Sequence, residues 1–107
     1  MKELQNQIKQ TLAINTNMVE EAKDEAALLK LIALYVQELI DRDFDKLLHT
    51  LYRIDIADYK VKRAVEHSAP GDAPNVIAKL ILDREKEKIA TREKYKSKDG
   101  DDWIFEV

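Results

Sequence analysis

The chain has no cysteine, and it has only two glycines and two prolines among its 107 residues. The lack of cysteine excludes disulfide bonds, thiol catalysis and cysteine-ligated metal within this sequence. A sandwich or barrel of short strands needs many more turn residues than the chain contains. The scarcity of glycine and proline, with frequent Leu, Ala, Glu and Lys, therefore predicts helices joined by few turns.

Long hydrophobic runs are also missing. The most apolar stretch, Ala26 to Val36, is about half as long as a membrane span, and Lys30 interrupts it. The segment from Met1 to Gln10 is polar and lacks the apolar region of a signal peptide. These features predict a soluble, cytoplasmic protein that does not insert in a membrane. The net charge of -3 gives no whole-chain attraction to nucleic acid or anionic lipid.

What the chain does contain is a hydrophobic fraction of 45% alongside 36% charged residues. These proportions are typical of a compact core beneath a charged surface, and the length fits one domain that needs no stabilising metal. We expect a single all-α domain over residues 1–107, built as a bundle of four to five helices. A short N-terminal helix is expected within residues 1–15, and a polar, aromatic tail at residues 97–107.

Hydrophobic periodicity marks the first two helices. The first is indicated by apolar residues at four-residue spacing: Leu4, Ile8 and Leu12. Asn17 and Glu20 resemble a capping box that begins a second helix, which we expect to reach Ile40. Only Lys30 is polar between Ala26 and Val36, so this helix is either central in the bundle or covered by another subunit.

Two amphipathic helices follow. The first has apolar residues at i, i+3, i+4 and i+7 spacing, namely Phe44, Leu47, Leu48, Leu51 and Ile54. Either Asp41 or Asp43 is placed to cap it. Asp55 is predicted to cap the next helix, which ends near His67, with Ile54 and Tyr59 as its hydrophobic staple.

The last helix is predicted from Asp72, as its cap, to Lys96, with Pro74 in the first turn. The stripe that should face the core begins apolar and then becomes charged. Because each residue turns by roughly 100° around the helix axis, Glu85 and Arg92 point in directions that lie between those of apolar residues. They do not point toward the opposite face of the helix. An unpaired buried charge costs several kcal/mol, so these charges must find partners within the protein or on another molecule.

We therefore expect a polar cluster between helices or at a subunit interface, formed by Arg53, Asp55, Arg84, Glu85 and Arg92. The simpler interpretation is a structural ion-pair network, in which arginine stems lie on the core and their charged ends reach water. Whether Glu85 and Arg92 pair within one chain or across two stays open at this point.

Other polar constellations do not predict a catalytic or metal site. Glu38, Asp41, Asp45 and His49 would share one face of a continuous helix, but that face lies opposite the apolar residues and is solvated. His49 and His67 have no nucleophile at a recognisable spacing, and no glycine-rich phosphate loop is present. We predict a protein that is not an enzyme and that has no cofactor or metal.

Basic residues occur in two groups, within Lys60 to Arg63 and within Arg84 to Lys96. Carboxylates lie between the cations of the second group, which is typical of a solvated mixed-charge helix and not of a phosphate-binding track. Nucleic-acid binding is thus not favoured. A nucleic-acid-associated or regulatory adaptor that uses these two groups is the alternative function.

Beyond the last helix, the apolar triplet Trp103-Ile104-Phe105 lies in an otherwise acidic segment. Left uncovered, it would form an exposed apolar patch. We therefore expect Trp103, Ile104 and Phe105 to dock either on their own bundle or on another subunit.

Between Asp43 and about Lys96 the sequence contains the motif Leu51-Tyr52-Arg53-Ile54-Asp55 and, less specifically, the later run Ile77-Ala78, Leu80 to Glu85, Lys88-Ile89 and Arg92. In these residues the chain resembles a small family of bacterial proteins of the kind found in Bacteroidetes-like genomes. The resemblance implies a short all-helical cytosolic protein with no assigned activity, and it carries over no binding or catalytic residue.

Taken together, these patterns predict a non-catalytic helical interaction protein that self-associates. We expect a homodimer, because isologous dimers are the commonest oligomers. An unidentified protein partner is also compatible with these patterns.

Overall fold

The computed structural model describes residues 1–97, and over this range the chain consists of six α-helices with no strand. The helices are α1 (Lys2–Thr11), α2 (Thr16–Glu21), α3 (Glu25–Arg42), α4 (Phe44–Arg53), α5 (Asp58–Glu66) and α6 (Ala73–Ser97). The predicted all-α class is confirmed. The predicted count of four to five helices was too low, because the second predicted helix is in fact two.

Two separate side-chain caps divide α2 from α3. The Oδ1 atom of Asn15 accepts hydrogen bonds from the amides of Asn17 at 2.9 Å and Met18 at 3.2 Å, and so begins α2. The Oδ1 atom of Asp24 accepts from the amide of Ala27 at 2.8 Å and begins α3. Each cap satisfies amides that have no partner inside their own helix. The predicted capping box at Asn17 was therefore wrong, because Asn15 occupies the cap.

The centre of the fold is the antiparallel pair α3 and α6. Glu25, at the start of α3, is ion-paired with Lys86 in the second half of α6. Further along α3, Ala33 shares a surface groove with Pro74 at the start of α6. The buried residues of α3 are Leu28, Leu31, Ile32, Ala33, Val36 and Leu39. The chain itself thus covers most of this strongly apolar helix, although Leu34 remains 65% exposed.

Helix α4 begins as predicted at an aspartate cap, since Asp43 Oδ1 accepts from the amide of Lys46 at 3.1 Å. Its core face consists of Leu47, Thr50 and Leu51, and the buried Ile54 follows directly after it. The periodic apolar stripe is wider than this buried face. As a result, Phe44 and Leu48 stay exposed on the side of the helix.

Asp55 ends α4 and does not begin α5. Its φ angle is +65°, its amide donates to the carbonyl oxygen of Tyr52 at 3.0 Å, and the amide of Ile56 donates to Leu51 at 3.1 Å. This hydrogen-bond pattern is a Schellman motif with aspartate in the left-handed position, where glycine is usual. The prediction that Asp55 caps α5 was therefore wrong. Ala57 occupies the cap of α5 without a side-chain hydrogen bond.

Helix α5 lies on α6 without burying any residue fully; Val61 and Ala64 are half-buried. Tyr59 is 65% exposed, so the predicted hydrophobic staple does not form. A loop with Gly71 at φ +81° leads to Asp72, whose carbonyl oxygen accepts from the amide of Val76 at 3.1 Å as α6 begins. None of the helices described in residues 1–97 is long and apolar enough to cross a membrane.

Helix α1 lies along the second half of α6 and runs in the opposite direction. Its apolar residues Leu4 and Ile8 are buried, and so is Leu12 just after it. Gln5 holds α1 to α2, because its Nε2 atom lies 3.0 Å from the carbonyl oxygen of Val19 and 2.9 Å from that of Ala22. The Val19 carbonyl also accepts from the amide of Ala22 at 3.1 Å, and the Gln5 amide adds a donor to the carbonyls at the end of α2 from outside that helix.

Candidate functional site

The most unusual side chain in the described part of the chain is Glu85, which is 0% exposed. It continues the buried stripe of α6 one turn beyond Ile81 and Leu82, which are also buried. Helix periodicity therefore directs a carboxylate into the core, as the sequence pattern indicated. A carboxylate in this position must obtain hydrogen bonds from the protein.

Two side chains of α1 supply those hydrogen bonds. Gln7 Nε2 donates to Glu85 Oε1 at 2.9 Å, and Gln7 is itself 7% exposed. Thr11 Oγ1 lies 3.1 Å from the same oxygen and 3.0 Å from the carbonyl oxygen of Gln7. The single hydroxyl hydrogen of Thr11 serves one of these two acceptors at a time.

The second oxygen of Glu85 is less well satisfied. Its Oε2 atom is buried and has no hydrogen-bond donor within the described residues. The Nζ atom of Lys88 lies 3.5 Å away, and the lysine side chain is 25% exposed. Lys88 therefore provides a nearby positive charge on the solvent side, while Gln7 and Thr11 provide the hydrogen bonds on the core side.

Arg92 reaches Glu85 only indirectly. Its Nη2 atom donates to Gln7 Oε1 at 3.0 Å, so the amide of Gln7 connects the arginine to the carboxylate. Arg53 also approaches this region, because its Nη2 atom donates to the backbone carbonyl of Thr11 at 3.0 Å. We call Gln7, Thr11, Glu85, Lys88 and Arg92 the Glu85 network.

Arg84 and Asp55 lie in a second polar group at the end of α4. Arg84 Nε donates to the carbonyl oxygen of Ile54 at 3.1 Å, and Arg84 Nη1 donates to Glu87 at 2.6 Å. The Asp55 carboxylate is 3.7 Å from Arg84 and 77% exposed, so solvent weakens this ion pair. The structure thus divides the five expected cluster residues between two neighbouring groups: Arg53 donates to Thr11 beside the Glu85 network, whereas Arg84 donates to Ile54 at the end of α4.

Glu85 and Arg92 find these partners within one chain. The hydrogen bonds of Glu85 and Arg92 join α6 to α1, whereas the contact with Lys88 lies within α6, and the partners on α1 are an amide and a hydroxyl, not the predicted charged residues. The sequence pattern did not indicate Gln7 and Thr11 as partners of Glu85, because polar residues on a short helix are ordinarily solvated. Their four-residue spacing, one position before Ile8 and Leu12, was the available signal.

The other sequence constellations are on the surface. Glu38 and Asp41 lie on α3, whereas Asp45 and His49 lie on α4, and all four are exposed. The chain breaks at Asp43, so these side chains do not share a continuous helix face. His67, at the end of α5, is hydrogen-bonded through Nδ1 to the carbonyl oxygen of Arg63 at 2.8 Å.

The basic residues of α5 do not form one track. Lys60 and Lys62 are two positions apart, which separates them by roughly 160° around the helix. Lys60 faces a groove of about 390 Å³ that it shares with Arg84 and the carboxylates of Asp55, Asp83 and Glu87. Anionic side chains therefore surround this cation, which makes the groove mixed in charge and not phosphate-binding in character.

Apolar surface remains exposed along one side of α4. Phe44 is 54% exposed, Leu48 45% and Tyr52 79%, and these residues follow one another at four-residue spacing. We call these three residues the α4 stripe. Positions i, i+4 and i+8 lie beside one another on a helix surface, so the three side chains form one continuous patch.

The apolar triplet Trp103, Ile104 and Phe105 lies outside the described residues, as does the rest of residues 98–107. No protein family, characterised protein or solved structure matches this chain. The resemblance to a bacterial family accordingly stays a prediction, and arguments about function rest on the surfaces and contacts of the molecule itself.

Proposed function

We propose that the protein is a non-catalytic, cytoplasmic helical interaction module that self-associates as an isologous dimer through the α4 stripe. The observation that carries the proposal is the continuous exposure of Phe44, Leu48 and Tyr52 along one helix. Exposed apolar patches of this kind on a small protein commonly mark association sites. Two aromatic residues in the stripe are also of the type enriched at the centres of protein interfaces.

The size of the stripe favours a weak dimer. Taking roughly 200 Å² as the area that one aromatic side chain can bury, the three residues leave about 350 Å² uncovered. Two facing copies would contribute about 700 Å² in total, whereas stable interfaces bury roughly 1,200–2,000 Å². Polar residues around the stripe must supply the remainder, so we expect micromolar affinity.

The binding partner that this surface favours is a second copy of the chain. A stripe that runs along one helix can pack against the same stripe of the other copy across a two-fold axis. In such an arrangement Leu48, at the middle of the stripe, lies nearest the axis. The sequence left open that another subunit covers α3. Because the chain itself covers most of α3, the α4 stripe is the surface that we propose for self-association.

The proposal is tested by measuring the mass of the full chain by sedimentation equilibrium from micromolar to millimolar concentration. We expect wild type to dimerise and Leu48→Glu to weaken the dimer at least tenfold, because a charge at the two-fold axis meets its own copy. Leu34→Glu is the matched control, since Leu34 is 65% exposed on α3 and outside the stripe. Wild type that remains monomeric, or an equal loss from Leu34→Glu, would refute the proposal.

A further inference from the structure

A groove of about 470 Å³ opens at the end of α4, where the chain turns toward α5. The residues that line it are Tyr52, Arg53, Asp55, Ile56, Ala57 and Asp58. Ile56 is buried, whereas Tyr52 is 79% exposed and Ala57 is also exposed. Because Tyr52 is a member of the α4 stripe, the groove extends the apolar surface of that stripe beyond the end of the helix. Its volume is large enough for an aromatic ring.

We propose that this groove holds the phenyl ring of Phe44 from a second copy of the chain. By symmetry, the groove of that copy holds Phe44 of the first, so the dimer contains two such contacts. The inference rests on the proposed dimer, and it adds which residue of one copy meets which surface of the other. Phe44 suits this role because it is 54% exposed, and docking removes its apolar surface from water.

The spacing of the α4 stripe brings Phe44 to the groove. Phe44 lies four positions before Leu48, and Tyr52 lies four positions after it. A two-fold axis that crosses α4 at Leu48 makes the two copies of the helix antiparallel, so Phe44 of each copy lies beside Tyr52 of the other. Both residues are then roughly 6 Å along the helix axis from Leu48. Because Tyr52 lines the groove, this arrangement places Phe44 of the other copy at the groove.

Polar side chains beside the stripe favour the antiparallel arrangement. Asp45 and His49 are exposed and point about 60° and 100° from Leu48 in the same direction around α4. The two-fold axis places this edge of one helix against the same edge of the other. His49 of one copy is then two positions, or about 3 Å along the helix axis, from Asp45 of the other copy.

Along that edge the side chains follow one another in the order Asp45, the other copy's His49, His49 and the other copy's Asp45. A carboxylate beside an imidazole accepts a hydrogen bond from a ring nitrogen. In a parallel pair, the same edge would face the side of the other helix that carries Leu47 and Leu51, which are buried in their own chain. The antiparallel pair thus gives both polar groups partners across the interface, whereas the parallel pair gives them none.

The groove also supplies surface that the stripe lacks. The three stripe residues contribute about 700 Å² over two copies, below the roughly 1,200–2,000 Å² of stable interfaces. Docking of Phe44 adds the walls of two grooves, including the exposed surface of Ala57 in each copy. The phenyl ring is uncharged, so Asp55 and Asp58 need no compensating charge and stay solvated at the margin of the groove. The Asp55 carboxylate is 77% exposed, and Asp58 is exposed at the start of α5.

The first experiment measures dimerisation of Ala57→Glu by sedimentation equilibrium of the full chain. A carboxylate at this position occupies the place of the phenyl ring, so we expect Ala57→Glu to weaken the dimer at least tenfold. Ala90→Glu is the matched control, because Ala90 is exposed in the second half of α6, beside the starts of α1 and α3. The control variant should dimerise as wild type does.

The dimer and the docking of Phe44 fail in different ways. Wild type that remains monomeric at millimolar concentration refutes the dimer itself, and the docking with it. A wild-type dimer that Leu48→Glu weakens and Ala57→Glu leaves intact overturns the docking alone. Equal weakening by Ala57→Glu and Ala90→Glu also overturns the docking, because the effect is then not specific to the groove.

A second measurement does not depend on how well Ala57→Glu folds. Phe44 is replaced by benzoylphenylalanine, a photoreactive analogue that keeps an aromatic ring, and one portion of the protein carries a heavy nitrogen isotope so that mass spectrometry identifies links between copies. We expect illumination to link position 44 of one copy to residues 52–58 of the other. Links to residues 44–48 of the other copy would indicate parallel helices and overturn the inference. A dimer that forms no link to residues 52–58 would equally overturn it.

Discussion

The side-chain amide of Gln7 contacts both charges that the last helix directs toward α1. Its Nε2 atom donates to Glu85 at 2.9 Å, and its Oε1 atom accepts from Arg92 at 3.0 Å. These two contacts fix the orientation of the amide, because the reversed orientation would place oxygen against carboxylate and nitrogen against guanidinium. A neutral residue thus connects an anion and a cation that do not otherwise meet.

Removing the carboxylate should destabilise the protein strongly. We expect Glu85→Ala to lower the free energy of unfolding by about 3 kcal/mol, since it leaves a cavity and an unpaired Gln7 amide. Glu85→Gln keeps the shape and an acceptor oxygen, so its cost should be about 1 kcal/mol. Urea denaturation measures both variants. Similar losses for the two would show that the charge itself, and not the hydrogen bonds and packing, dominates this position.

A double-mutant cycle should show that Gln7 and Glu85 are coupled. We expect Gln7→Ala and Glu85→Ala together to cost at least 1 kcal/mol less than the sum of the two single changes, because contacting residues are not additive. Gln37→Ala with Glu85→Ala is a suitable control, since Gln37 is exposed on α3 and bonds only to Asp41. Additivity within error for the Gln7 pair would contradict the observed contact.

Arg92 should contribute little despite its place in the sequence pattern. It is exposed and makes one hydrogen bond to a neutral amide, so we expect Arg92→Met to cost no more than about 0.5 kcal/mol. Thermal unfolding of this variant beside Glu85→Ala provides the comparison. A loss from Arg92→Met as large as that from Glu85→Ala would mean that the arginine neutralises the buried carboxylate directly.

The backbone at Asp55 gives a prediction of the opposite sign. Asp55 has φ +65°, and its carboxylate is 77% exposed and 3.7 Å from Arg84. Because glycine adopts this conformation without strain, Asp55→Gly should stabilise the protein by about 0.5 to 1 kcal/mol. Asp55→Ala should be less stable than Asp55→Gly by roughly 1 kcal/mol. If both variants lose the same stability in urea, the ion pair outweighs the backbone effect.

Gln5 should affect α2 locally. Its amide contacts the carbonyl oxygens of Val19 and Ala22, so Gln5→Leu would remove a hydrogen-bond donor from the end of α2. We expect faster amide hydrogen exchange in residues 16–22, with exchange in the α3 and α6 core unchanged. Lys2→Leu is a comparable surface change on the same helix and should not alter exchange in α2. Uniformly faster exchange through the whole chain would contradict a local role.

The sequence predicted best those features that depend on local pattern. The periodicity of α4, its start at an aspartate cap and the inward direction of Glu85 are all properties of a single helix, and the structure shows each of them, with Asp43 and not Asp41 as the cap. The break between α2 and α3 was missed because residues 20–25 contain no glycine or proline to mark it, although Asn15 and Asp24 are both good capping residues.

The partners of Glu85 could not be predicted in the same way. Gln7 is 78 positions away in sequence and carries no charge, so nothing local marks it as a partner. Similarly, the left-handed conformation of Asp55 depends on how α4 ends against α6, and aspartate is as common at helix starts as in turns. Such features follow from tertiary packing, which a single helical pattern does not specify.

The Glu85 network also determines the register in which α1 lies on α6. The apolar residues Leu4, Ile8 and Leu12 repeat every four positions, so the hydrophobic contacts alone would tolerate α1 displaced by one turn. After such a displacement, Thr11 would occupy the place of Gln7, and its short hydroxyl could not span from Glu85 to Arg92. The buried carboxylate of Glu85 thereby selects one alignment of α1 on α6, whereas the apolar contacts alone would permit more than one.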